Sequence, residues 1–142
     1  MPLKNDEGEQ IVIAAEVENL PVMQDFVNLY LEKLDCDPGK RLQIEIAAEE
    51  FFVNIANYAY EGEKGSVTVK TGVSYDPAFI EITFIDSGIP FDPLARKDPD
   101  TAAPAEERGI GGLGIYMAKN AMDEVRYEYK DGQNVLTMKK LM

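Results

Sequence analysis

One helix-length stretch constrains this chain more than any other: Glu45-Ile46-Ala47-Ala48-Glu49-Glu50-Phe51-Phe52-Val53-Asn54-Ile55-Ala56-Asn57-Tyr58-Ala59-Tyr60. Turned at about 100° per residue, it shows two polar stripes where a plain surface helix needs only one. Glu45 and Glu49 make an ordinary solvent face. Glu50, Asn54 and Asn57, at i, i+4 and i+7, make the second stripe. Ala47, Phe51 and Tyr58 flank it on one side, and Leu42, Ile46 and Val53 on the other. A carboxylate and two amides set between apolar surfaces are costly to desolvate unless their bonding capacity is filled. Two readings stay open. The stripe is a buried structural hydrogen-bond network, or it lines a pocket whose missing partner is a ligand.

With 142 residues, the chain is most simply one domain with one sizeable core. No apolar run is long enough to span a bilayer, and the amino terminus lacks a signal-peptide segment. The lone Cys36 cannot form an intramolecular disulfide, and the absence of histidine argues against zinc. These features point to a cytoplasmic protein. A formal charge of −12 argues against nucleic acid, whose phosphates it would repel. Without histidine, any proton transfer falls to a carboxylate, Lys or Tyr.

Around the central helix the pattern alternates between strands and helices. Ile11, Ile13, Ala15 and Val17 share one face of an edge strand. Val22, Phe26, Leu29, Tyr30 and Leu34 predict an amphipathic helix packed on a sheet. Asp37 and Pro38 form a cap and first position for the next helix. Val67 to Val73 and Phe79 to Asp86 read as strands joined by a turn at Tyr75-Asp76-Pro77-Ala78. Asp86 continues the core-facing parity of Ile80, Ile82 and Phe84. A carboxylate there is a turn cap, or it holds a specific donor where water is scarce.

From Ser87 to about Gly112 no periodicity is visible, and Pro90, Pro93, Pro99 and Pro104 interrupt the stretch. Structureless segments beyond about 12–15 residues are usually lids, binding loops or disordered, and a mobile lid is expected. Gly109-Ile110-Gly111-Gly112-Leu113-Gly114 then enters a helix. Glycines at a helix start let amides approach an anion closely, although glycine clusters also make plain turns. A final hairpin turns at Asp131-Gly132, between Val125-Tyr127-Tyr129 and Leu136-Met138.

A nucleotide site would explain the striped helix, the strand-end aspartate and the glycine-rich helix start together. Such a site needs an acceptor for an adenine amino group, an oxygen ligand for Mg²⁺ and amide donors for phosphates. A Walker loop is absent.

Three segments resemble the boxes of the GHKL (Bergerat-fold) ATPases: Glu50-Phe51-Phe52-Val53-Asn54, Asp86-Ser87-Gly88-Ile89-Pro90-Phe91-Asp92-Pro93 and Gly111-Gly112-Leu113-Gly114-Ile115-Tyr116. Within that family the chain is most similar to bacterial anti-sigma factor serine/threonine kinases. Met122 to Tyr127 and Asp131 to Leu136 strengthen the narrower match, which runs from about Gln10 to Lys140.

The resemblance implies a two-layer α/β sandwich: a mostly antiparallel mixed sheet, three helices on one face, and an ATP lid at about 87–112 within a single domain 1–142. It implies ATP and Mg²⁺, with Glu50 as general base, Asn54 on the metal and Asp86 on adenine. Gly88 would let the base approach, and Gly111, Gly112, Leu113 and Gly114 would bring amides to the phosphates. Asn57, Pro90 and Arg108 complete the implied nucleotide-binding set. The chain departs from the family at Pro90, where a second glycine is common, and near Tyr58, where histidine is frequent. The implied activity is a serine/threonine kinase that phosphorylates an anti-anti-sigma protein, sequesters a sigma factor and switches between them. A homodimer is also compatible with the family. A non-catalytic, nucleotide-gated binding module of the same fold is the alternative.

Overall fold

Alternating apolar residues build one continuous row on the inner face of a sheet. The computed structural model describes residues 6–95 and 112–142. Its strands are β1 (Asp6–Ala14), β2 (Ser66–Tyr75), β3 (Ala78–Asp86), β4 (Glu124–Lys130) and β5 (Gln133–Leu141), and its α-helices are α1 (Leu20–Leu31), α2 (Pro38–Tyr58) and α3 (Gly112–Ala121). The spatial order of the strands is β1-β2-β3-β5-β4. Each described pairing is antiparallel, so the expectation of a mixed sheet is corrected. Three of the four strand connections make neighbours in the sheet or tight hairpins, and nothing in the described sheet needs a parallel crossover.

Register fixes which residues meet. Ile11 lies opposite Val69, Val69 opposite Phe84, and Phe84 opposite Leu136. One step along, Val67 lies opposite Asp86 and Asp86 opposite Asn134. Val67, Val69, Ile80, Ile82, Phe84, Leu136 and Met138 are all buried. A slip of one residue would turn this row outward, so burial enforces the register. At the last hairpin Asp131 and Gly132 both take positive φ, 55° and 78°, as a two-residue type I′ turn requires.

The helices cover that inner face. Helix α1 buries Met23, Phe26, Val27, Tyr30 and Leu31, while Val22 and Leu29 are exposed, contrary to the expected stripe. Apolar side chains lie on both sides of Phe26 and Tyr30, so only docking on the sheet chooses between them. Helix α2 buries Ile44, Ala47, Ala48, Phe51, Phe52 and Ile55, and each large side chain contributes about 1.5–3 kcal/mol. Leu42 and Ile46 are exposed, so one expected apolar flank of the polar stripe faces solvent. Helix α3 adds Ile115 and Ala118 to the core, and Met122 just beyond it does the same. No described helix is long and apolar enough to cross a membrane.

The start of α2 is set as its sequence predicts. Asp37 has extended backbone and its Oδ1 accepts the Lys40 amide at 3.0 Å, with Pro38 opening the helix. Asp37→Ala should cost about 1 kcal/mol of stability, read as a lower urea midpoint at unchanged slope.

Candidate functional site

The inner row of the sheet ends in two polar residues that face each other across β3 and β5. Asp86 is 5% exposed and Asn134 is 6% exposed. Asp86 Oδ1 accepts from the Gly88 amide at 2.9 Å and from Asn134 Nδ2 at 2.9 Å. Its second oxygen, Oδ2, has no hydrogen-bond donor among the described residues. Asn134 is filled: Nδ2 also donates to the Ile89 carbonyl at 2.8 Å, and Oδ1 accepts from the Phe91 amide at 3.1 Å and from the Tyr127 hydroxyl. An amide has two donors and two acceptor sites, and here the protein occupies all of them. Asn134 thus ties the aspartate to the segment leaving β3. Burial is the main cause pushing the Tyr127 phenol above its ordinary pKa.

A shallow cleft, open to solvent, lies beside this pair. Phe51, Ile55, Ala59 and Leu136 give it apolar walls, Ile89, Phe91 and Pro93 close one side, and Asn54, Asp86, Tyr127 and Asn134 supply polar groups. Mostly apolar walls with a few converging polar atoms suit a flat heteroaromatic ring. Asp86 lines the cleft, and its Oδ2 is an acceptor still available to a ligand donor.

Helix α2 presents its residues to the cleft by angle. Asn54, Tyr58, Phe51 and Ile55 span an arc of about 100°, with Asn54 at its edge. Glu50 lies about 40° beyond that edge and is not in the cleft lining. It turns toward α3, where a Cβ added to Gly114 would come 2.1 Å from its Oε2. Any side chain at position 114 would displace the carboxylate. No donor among the described residues reaches Glu50, and burial first, then the neighbouring Glu49 charge, raises its pKa.

Other expected residues are placed differently. Asn57, about 60° beyond Asn54 on the helix, is exposed and borders a separate groove with Ala15, Glu16, Val17, Gly62 and Lys64. The structure does not bring it to the cleft. Pro90 is exposed and absent from the lining, while Ile89 and Phe91 on either side of it line the wall. At Gly88 a Cβ would lie 2.1 Å from the Ala59 carbonyl oxygen. Glycine is needed there for contact with the end of α2, before any ligand is considered. Gly112 and Leu113 begin α3. Arg108 and Gly111 lie outside the described residues, as do positions 96–111 of the expected lid. Sequence reasoning missed Asn134, Tyr127, Ile89 and Phe91. For Asn134 a signal existed: it continues the parity of buried Leu136 and Met138, as Asp86 continues that of Phe84.

An antiparallel sheet under three α-helices, with a strand-end aspartate in an apolar cleft beside an asparagine-bearing helix, defines a class of nucleotide-binding ATPase domains. Residues 13–140 match the family model described as the histidine kinase-like ATPase domain, and the chain belongs to that family. Among curated proteins it is 33% identical over 101 residues to the serine-protein kinase RsbW of Listeria monocytogenes. It is also 33% identical over 100 residues to the protein of the same name from Bacillus cereus. The first match covers 68% of this chain and 63% of the relative, the second 68% and 61%, so the chain spans less than two thirds of the length of these relatives. A solved structure of the RsbU and RsbW domains of a Mycobacterium tuberculosis protein shares the fold. It superposes with a TM-score of 0.60 at 19% identity, over 94% of this chain and 32% of that one.

Two outcomes follow for the site. Asn134→Ala leaves the Phe91 amide and one Asp86 contact unpaired and should cost about 2 kcal/mol, measured by urea unfolding. Glu50 has a folded pKa above its ordinary 4.5, so the folded state holds the proton more tightly and stability falls as pH rises through that window. Glu50→Gln should therefore be more stable than the parent above the window, and the advantage should vanish below pH 4.5. Thermal melts across pH check the sign.

Proposed function

We propose that the chain is an ATP-dependent serine/threonine kinase that acts as an anti-sigma regulatory factor in the cytoplasm. The observation that carries this reading is the open Asp86 oxygen inside an apolar cleft walled by the same helix that bears Asn54 and Glu50. An adenine ring fills the apolar walls, and its exocyclic amino group supplies the donor that Asp86 Oδ2 lacks. Guanine presents a carbonyl at the same position, which a carboxylate repels. The resemblance to curated serine-protein kinases supports extending the reading from binding to transfer.

The donor set also fits a metal-bound triphosphate. Asn54 is at the cleft edge with a side-chain carbonyl available to Mg²⁺, and Mg²⁺ commonly takes only one or two protein oxygens besides phosphates and water. When bound, the metal supplies charge neutralisation at the phosphates. The chain's own work is positioning. Phe51, Ile55 and Leu136 hold the base, Asp86 fixes its orientation, and the start of α3 offers amides to the phosphate end. Glu50 waits beside that helix start with a proton affinity raised by burial, as suits a general base.

In the transfer, the hydroxyl oxygen of a partner serine or threonine bonds to the γ-phosphorus and the bond to the β-phosphate bridging oxygen breaks. ADP leaves, and the hydroxyl proton passes to Glu50. The partner would be a small anti-anti-sigma protein, and a sigma factor would be the alternative ligand. The segment from about 87 to 112 is read as the lid, within a single ATP-binding unit.

Glu50→Gln keeps the shape of the site and removes the base. It should bind Mg·ATP within about twofold of the parent while the transfer rate falls at least about 100-fold. Incubation with labelled ATP and a candidate anti-anti-sigma partner, followed by phosphosite mass spectrometry, reads both. Near-parental transfer by the variant overturns the base assignment. Stable nucleotide binding with no transfer by the parent chain supports a nucleotide-gated binding module instead.

A further inference from the structure

Tyr60 stands just beyond the end of α2 and has been given no role in the site so far. Its hydroxyl donates to the Ser66 carbonyl at 2.5 Å and accepts from the Ser87 amide at 2.9 Å. Its ring lies flat over Gly65, where an added Cβ would come within 2.4 Å of the ring carbons. One side chain therefore joins the end of α2, the start of β2 and the turn after β3.

That turn carries the recognition geometry of the site. Each of its three amides has a different anchor: Ser87 donates to Tyr60, Gly88 to Asp86 Oδ1, and Ile89 to the Ala59 carbonyl at 2.8 Å. Two of these anchors belong to the end of α2. The same helix carries Asn54 at the cleft edge and Glu50 beside α3. The distance between the base-reading aspartate and the groups at the other end of the site is thus set by how firmly the turn is fastened to α2.

We infer that Tyr60 is a positioning residue for base recognition: its hydroxyl fastens the Ser87 amide so that Asp86 holds Oδ2 toward the cleft. The inference rests on the adenine-nucleotide reading given above. Tyr60 is not in the cleft lining, so it acts through Asp86. The Ser87 site is exposed, and water can replace the lost hydroxyl. Removing that hydroxyl therefore relaxes the turn with little effect on global stability.

The test is Tyr60→Phe, which keeps the ring on Gly65 and deletes only the bridging oxygen. Calorimetric titration with Mg·ATP and Mg·GTP, beside thermal melts of the nucleotide-free protein, gives affinity, selectivity and stability. The expected result is ATP binding weakened about three- to tenfold, the range one neutral hydrogen bond supplies. The ATP-over-GTP preference should shrink by a similar factor, and the melting temperature should move by no more than about 4 °C. Unchanged ATP affinity and selectivity overturn the inference. So does equal weakening of both nucleotides with a large fall in melting temperature, the signature of a purely structural tyrosine. If the parent protein itself binds no Mg·ATP, the nucleotide reading falls and takes this inference with it.

Discussion

The site depends on one cross-strand pair, a buried carboxylate facing a buried amide. Asp86 sits where a charge is costly to desolvate, and among the described residues only one of its oxygens finds donors. Asn134 makes this arrangement stable, because the same amide that donates to Asp86 also captures the Ile89 carbonyl and the Phe91 amide. The aspartate and the adjoining cleft wall are therefore fixed together. Their meeting requires that β3 pair with β5 in one register, and that register is enforced by Phe84 on Leu136 and Ile82 on Met138. Apolar packing in the sheet thus sets the position of a polar atom at its edge.

Helix α2 transmits the same precision to the rest of the site. It spans Pro38 to Tyr58 and serves several surfaces by angle alone. Phe52 and Ala48 are buried in the core, Phe51 and Ile55 line the cleft, Asn54 marks its edge and Glu50 turns to α3. From Glu50 to Ala59 the rise is about 14 Å, so one helix spans the distance from the turn after β3 to the start of α3. Gly88 and Gly114 permit close approach at its two ends, to the Ala59 carbonyl and to the Glu50 carboxylate respectively. Glycine serves packing in both places, with no positive φ recorded at either.

Much of this was legible in the sequence where periodicity and chemistry agree. The strand assignment of β3, the parity of Asp86, the Asp37 cap and the Asp131-Gly132 turn each follow from a local rule, and each is found in the structure. Rotation of a helix about its axis was less legible. Val22 and Leu29 extend an apolar arc that is too wide, so only contact with β2 and β3 decides that Met23, Val27 and Leu31 go inward. The same ambiguity grouped Asn57 with Asn54, although a rotation of about 60° sends Asn57 to another groove. Asn134 was harder still, because its role exists only once β3 and β5 are paired. A polar residue on a core parity is the signal for both Asp86 and Asn134, and register alone joins them.

Charge sets a final condition on the proposed chemistry. The chain carries a formal −12, and among the described residues no Lys or Arg lines the cleft. A triphosphate brought here adds negative charge beside Asp86 and Glu50, at short range where solvent screens poorly. Among the described residues the proposed site has two sources of positive potential at its phosphate end: the amides that open α3 and the divalent ion proposed for Asn54. Binding of the triphosphate should then depend steeply on Mg²⁺, much more so than binding of the uncharged nucleoside, which needs only the apolar walls and the Asp86 acceptor. On the proposed chemistry, that contrast separates the two halves of the site, with the base half built by packing and the phosphate half completed by the cation.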